Sequence, residues 1–177
     1  MGVPDASSVI DFALLPMLSI DYSSVARIFT QGIETGNATY DVAAAADWED
    51  WDTKHLNHSR WVLKSKMEGS VLGWAALSPV SSRRVFSGVA ELSIYIDTDF
   101  LGLGLGNALM AAVVASSEGN GIWMLQSGIF PENQASIALH EKFGFRLVGK
   151  RERIGKMANG IWRDIVLLER RSLIVGL

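Results

Sequence analysis

The chain of 177 residues has no cysteine. Disulfides, zinc–thiolate sites, iron–sulfur clusters and a cysteine nucleophile are thereby excluded. Proline is scarce, at four residues, and no Pro/Gly-rich linker, internal repeat or low-complexity tract divides the sequence. Neither sign of charge dominates: 16 Lys+Arg against 19 Asp+Glu leave a net charge of -3, and basic clusters are as short as Lys150-Arg151 and Arg170-Arg171. A broad electrostatic footprint for nucleic acid is missing, so no nucleic-acid partner is expected. Long apolar runs are missing too. Leu101 to Leu105 and Leu109 to Ala115 fall far short of the ~20 residues a membrane helix needs, so no membrane partner is expected. No basic segment precedes an apolar stretch at the N-terminus, which leaves a cytoplasmic location as the expectation. What is present, 49% hydrophobic residues, suits one globular domain able to bury roughly 70% of its unfolded surface.

Residues 1–11 read as a loose N-terminal tail, 12–170 as the domain and 171–177 as a C-terminal tail. Phe12 to Leu18 reads as an edge strand, because Pro16 cannot donate to a ladder. Asp21 is placed as an N-cap, followed by Val25, Ile28, Phe29 and Ile33 at helical spacing until Gly36. A second amphipathic stretch carries Trp48, Trp51, His55 and Leu56. Three strands follow, Arg60 to Ser65, Val71 to Ser78 and Val89 to Ile96, the first two joined by a hairpin turn. After a Gly-rich turn, Leu105, Ala108, Leu109, Ala112 and Val113 mark one helix face ending near Gly119-Asn120-Gly121. Ile122 to Ser127 is a strand, Asn133 caps a helix stopped at Gly144, and strands Phe145 to Arg151 and Ile161 to Glu169 close the chain. The order predicts a mixed α/β sheet and not a doubly wound nucleotide fold.

Two segments carry candidate chemistry. The first is Ile94-Tyr95-Ile96 followed by Leu101-Gly102-Leu103-Gly104-Leu105-Gly106-Asn107. Alternating glycines let the backbone turn without Cβ clashes, and the helix that follows adds the positive end of its dipole, so the turn suits an anion such as a pyrophosphate. A dinucleotide fingerprint would need glycine where Asn107 stands, and a Walker A loop would need Gly-Lys-Ser/Thr, which is absent. A glycine-rich connector without a ligand is the structural alternative. The second segment is Asn133-Gln134-Ala135-Ser136-Ile137-Ala138-Leu139-His140-Glu141-Lys142-Phe143-Gly144-Phe145.

Together these segments resemble the GNAT superfamily of acyl-CoA-dependent N-acetyltransferases, with its Q/R-x-x-G-x-G/A loop and its N-x-x-A-x-x-L-Y/H-x-x-x-G-F helix. Leu101 departs from the pattern, standing where the family usually has Gln or Arg. Within the superfamily, Glu91 in Ala90-Glu91-Leu92-Ser93-Ile94-Tyr95-Ile96, His140, Gly36-Asn37-Ala38-Thr39-Tyr40 and Arg83-Arg84-Val85-Phe86 resemble the phosphinothricin acetyltransferase branch, as does Gly160-Ile161-Trp162-Arg163-Asp164 less closely. The likeness spans residues 18 to 170. It implies a GNAT fold, a mixed central sheet with helices on both faces, and acetyl-CoA as cosubstrate without a metal. The implied acceptor is the α-amino group of a small amino-acid analogue: phosphinothricin, methionine sulfoximine or sulfone, or an arsinothricin-like compound. The branch is commonly dimeric, so a homodimer is expected.

On this resemblance, Gly102, Leu103, Gly104, Leu105, Gly106 and Asn107 hold pyrophosphate. Ile94, Tyr95 and Ile96 run along the pantetheine, with Asn133 beside it. Glu91 is expected as a general base, its pKa raised by partial burial, and a salt bridge is its structural alternative. His140 is a base, an acid or an orienter of substrate, or else a plain helix-surface histidine. Arg83 offers a planar fork for a substrate carboxylate, and Tyr40 and Phe86 wall a side-chain pocket. Two alternatives stay open: a different amine acceptor, such as a polyamine or a protein N-terminus, and a CoA-binding sensor without catalysis.

Overall fold

The computed structural model describes residues 10–177. Most of the expected N-terminal tail, residues 1–9, lies outside the described residues. Strand β1 (Phe12–Pro16) leads through a single 3-10 turn to helix α1 (Tyr22–Glu34), and α2 (Trp48–Lys54) follows. Strands β2 (Trp61–Ser65), β3 (Val71–Pro79) and β4 (Val89–Ile96) form an antiparallel meander. Helix α3 (Leu105–Gly119), β5 (Met124–Ile129), α4 (Gln134–Lys142), β6 (Arg146–Lys156) and β7 (Trp162–Arg171) complete the chain. One seven-stranded sheet results, in the order β1-β2-β3-β4-β5-β7-β6. Among the described residues only β4 and β5 run parallel, because α3 carries the chain across the sheet between them.

Each face of the sheet buries its own cluster. Leu63, Leu77, Leu92, Leu109, Val113 and Leu168 fill the face under α3, while Val25, Ile28, Trp51, Val62 and Trp74 fill the face under α1 and α2. Alternation along β4 explains the division: Ala90 and Leu92 point to the first face, and Glu91, Ser93 and Tyr95 to the second.

Three local expectations need correction. Asp21 occupies the N-cap position of α1, but its carboxylate makes no capping bond. It accepts from the Leu18 N–H and pairs with Lys64 of β2 at 2.6 Å, since an ion pair to a fixed lysine outcompetes the helix amide. The last hairpin is longer than its apolar pattern suggested, because its ladder continues through exposed charged residues from Arg151 to Lys156. Beyond β7, residues 172–176 fold back rather than trail away. Ser172 is buried and bonds Glu118, and the Arg171 guanidinium donates to the carbonyls of Trp123 and Val175.

Candidate active site

The pairing of β4 with β5 covers only Val89↔Met124, Ala90↔Leu125 and Glu91↔Gln126. Beyond Glu91 the two strands part, although β4 continues to Ile96 and β5 to Ile129. A cleft of about 760 Å³ opens in the gap, lined by Glu91 and Leu92 to Ile96 on one side and Ser127 to Phe130 on the other. The parted stretch of β4 is a strand edge inside a protein cleft. Its backbone groups are available to an extended ligand that pairs as an added strand would.

The glycine-rich turn forms one end of this cleft. Gly102 and Gly104 have φ values of +76° and +77°, in the left-handed region where a side chain is strained. A Cβ on Gly102 would meet nothing within 4 Å, and one on Gly104 only the Asn107 amide at 3.6 Å, so the space above the turn is open. Gly104 is the N-cap of the 15-residue α3 and supplies no side chain to its first amides. Those donors and the helix dipole face an open cradle, which fits a pyrophosphate. A cation absent from the sequence reading joins them: Lys142 at the end of α4 donates to Asn107 Oδ1 at 2.7 Å. Its approach depends on the packing of α4 against α3, where a Cβ on Gly106 would come 3.0 Å from Leu139. Leu103 and Leu105 do not line the cleft; Leu103 is exposed and Leu105 belongs to the core.

Glu91 lines the cleft and is exposed, which corrects the expectation of partial burial. The reason is local: its strand neighbour parts from it at this point, and Ser78 opposite it on β3 is small. One carboxylate oxygen accepts from Gln126 Nε2 at 3.2 Å, and no cation pairs with it among the described residues.

His140 is almost fully buried at 1% exposure, yet its ring borders the cleft. Nδ1 lies 2.8 Å from the Ser136 carbonyl, which can only accept, so Nδ1 carries the hydrogen. In the neutral ring Nε2 then accepts from the Ser127 hydroxyl at 2.9 Å. Burial holds the imidazole below its ordinary pKa, against a smaller opposing pull from the Ser136 carbonyl. His140 is thus a neutral anchor for Ser127. A serine in the middle of a strand carried no signal that would have singled out Ser127.

The α1–α2 connection covers the cleft, and Arg163 of β7 ties it down. The guanidinium donates to the Gly36 carbonyl at 2.8 Å, to Asn37 Oδ1 at 3.0 Å and to Glu132 at 2.9 Å, and stacks over Phe130 at 4.0 Å. Tyr40 returns the contact by donating to the Arg163 carbonyl at 2.9 Å, and its ring meets Phe130 edge-on. Asn133 caps α4 by accepting from the Ser136 amide, while its Nδ2 donates to the Asn37 carbonyl. Tyr40, Asn133, Ile94, Tyr95 and Ile96 all line the cleft. Arg83 and Phe86 do not. They sit on the exposed β3–β4 connection, with the Arg83 guanidinium over the Phe86 ring at 5.5 Å.

Among the described residues, no group of three or more His, Asp or Glu is placed to hold a metal, and no helix is long and apolar enough to cross a membrane.

Comparison with known proteins agrees with this geometry. Residues 24–145 match the family described as Acetyltransferase (GNAT) family. An L-methionine sulfoximine/L-methionine sulfone acetyltransferase of Pseudomonas aeruginosa is 30% identical over 129 residues, 73% of each chain. A phosphinothricin N-acetyltransferase of Alcaligenes faecalis is 28% identical over 153 residues, 85% of this chain and 77% of that protein. Among solved structures, a GNAT superfamily phosphinothricin acetyltransferase from Sinorhizobium meliloti, in complex with acetyl-CoA, superposes with a TM-score of 0.81 at 27% identity. The match covers 90% of this chain and 88% of that one.

Proposed function

The chain belongs to the GNAT acetyltransferase family, and from that premise we propose that it moves an acetyl group from acetyl-CoA to the α-amino group of a small amino-acid analogue. Phosphinothricin, methionine sulfoximine or sulfone, and arsinothricin-like compounds are the acceptors considered. The observation that carries the reading is the parting of β4 and β5 beyond Glu91, with the open glycine turn at one end of the gap.

In this reading Gly102 to Asn107 and Lys142 hold the pyrophosphate, and the free edge of Ile94–Ile96 pairs with the pantetheine beside Asn133. The thioester supplies an activated acetyl group. Glu91 takes a proton from the acceptor ammonium, directly or through a water. A backbone N–H of Ile94–Ile96 donates to the thioester carbonyl as the amine attacks, which stabilises the charge that develops on that oxygen. With no cysteine in the chain, transfer runs in a ternary complex rather than through a thioester on the protein. His140 acts through Ser127 and does not exchange a proton with the acceptor. Arg83 lies on the connection that enters β4 two residues before Glu91. Because Arg83 does not line the cleft, no contact with the acceptor's carboxylate is assigned to it. A cytoplasmic homodimer is also part of the proposal, supported by the exposed apolar side chains of Leu147, Val148 and Trp162 on the outer hairpin.

The test is thiol release from acetyl-CoA against amino acids, glutamate analogues and polyamines. Acetylation of the amino-acid analogues well above spermidine supports the proposal. The reverse order favours a polyamine, for which Asp41 and Glu91 as the charged side chains lining the cleft would speak.

A further inference from the structure

A second hollow of about 420 Å³ lies behind β3 and β4, on the face of the sheet that carries Glu91. Trp74 and Ser78 of β3 stand directly opposite Tyr95 and Glu91 of β4, so the hollow begins beside the carboxylate that the proposed reaction uses. Part of its wall is aromatic, and Ala43, Ala44 and Ala45 line the side of the connection. Trp51 meets Trp74 edge-on at 6.1 Å, and Tyr22 and Phe29 of α1 complete the aromatic part. Phe29, Asp41 and Ser93 line both this hollow and the main cleft, which makes them the seam between the two.

The charges of the hollow are unequal in kind. Asp50 and Lys54 neutralise each other at 2.8 Å. Asp41 has no cation among the described residues, and its carboxylate is held at the seam by Thr39 Oγ1 at 3.2 Å. Arg163 fixes the connection that carries Asp41. The seam is therefore negative, and the space behind it is mixed: aromatic and alanine walls interrupted by the Asp50–Lys54 pair, His55 and Ser78, with more carboxylates than ammonium groups.

We propose that this hollow is the acceptor's side-chain pocket, and that it takes an uncharged, largely apolar side chain in preference to an anionic one. The acceptor ammonium then lies at the seam, where Asp41 and Glu91 attract it. An anionic phosphinate or carboxylate at the end of the side chain would have to pass Asp41 and leave water beside Asp50, where the one lining ammonium among the described residues, Lys54, is already paired. The inference rests on the transferase reading and narrows its substrate class.

The test compares kcat/KM for L-methionine sulfone and L-phenylalanine with that for phosphinothricin and L-glutamate. The expected result is at least a tenfold advantage for the uncharged pair. Ala44→Leu, which fills the hollow from the connection, should lower the ratio of methionine sulfone to L-alanine at least tenfold. Asp41→Asn should improve phosphinothricin relative to methionine sulfone at least fivefold. Preference for the anionic acceptors in the parent enzyme, or unchanged ratios in both folded variants, overturns the pocket while leaving the transferase intact. Absence of thiol release with every amine, while acetyl-CoA still binds in a calorimeter, overturns both.

Discussion

Glu91 and His140 reach the cleft from opposite faces of the sheet. Glu91 accepts from Gln126, whereas His140 bonds Ser127, the next residue along β5, whose side chain points the other way. The two groups are therefore not a dyad. Glu91 lies on the face that carries Ser93 and Tyr95 and is exposed, and His140 is buried and occupied at both nitrogens.

Replacement of Glu91 tests the first role. Glu91→Gln keeps the size of the side chain and a hydrogen bond to Gln126 while removing the basic oxygen. Turnover should fall about 10²–10⁴-fold, the usual cost of losing a general base. The acetyl-CoA Kd, measured by calorimetry, should stay within about twofold, a difference of roughly 0.4 kcal/mol. A kcat close to that of the parent removes Glu91 from the mechanism.

The pH dependence of stability tests the second. Burial lowers the pKa of His140 from 6.5, and burial also lowers those of His55 and His58. The unfolded chain binds protons near pH 6.5 that the native state resists, so stability is full above that pH. It is lost progressively as pH falls from there toward the native pKa values. Thermal unfolding followed from about pH 7.5 to about pH 5 should show a falling Tm, and His140→Gln should make the slope shallower. A Tm that rises on acidification contradicts the neutral, buried histidine.

At the turn, Gly104→Val places a branched side chain in the space a phosphate would enter, at a backbone φ of +77°. Acetyl-CoA affinity should drop at least tenfold, about 1.4 kcal/mol, with a folding cost of about 1–2 kcal/mol from the left-handed conformation. Lys142→Met should weaken binding in the same direction, and Leu101→Arg added to it should restore part of the loss. If Lys142→Met binds acetyl-CoA as tightly as the parent, Lys142 serves only to hold Asn107.

Arg163 is a positioning residue, since it touches the connection over the cleft and not the cleft itself. Lysine cannot reproduce its forked contacts, so Arg163→Lys should destabilise by about 1–3 kcal/mol. It should also raise the acceptor KM more than it lowers kcat. Gly155→Ala should act on the same connection, because its Cβ would fall 2.3 Å from the Tyr40 ring. Equal losses in kcat and kcat/KM with unchanged KM would assign Arg163 to the chemical step instead.

The features legible in the sequence are those set by neighbours along the chain. Alternation marks the strands, and the glycines at 102 and 104 announce a turn because only backbone freedom allows their φ. Asn133 caps α4 because its own helix amide is three residues away. Glu91 and Tyr40 are singled out by the family likeness and not by spacing along the chain. Where two local rules competed with a distant partner, as at Asp21, the distant ion pair to Lys64 prevailed.

The sequence alone thus determined the order of elements, the glycine-rich turn and the family likeness, because each depends on backbone geometry and side-chain spacing within a few residues. Only the tertiary structure decided that β4 and β5 part at Glu91, and that His140 is buried against Ser127. It alone brought Lys142 to the turn, set Arg163 over the connection and left Arg83 and Phe86 outside the cleft. Those outcomes depend on contacts between residues 13 to more than 120 positions apart. No local spacing encodes such contacts; they arise when helices and strands that each bury their own apolar face settle against one shared sheet.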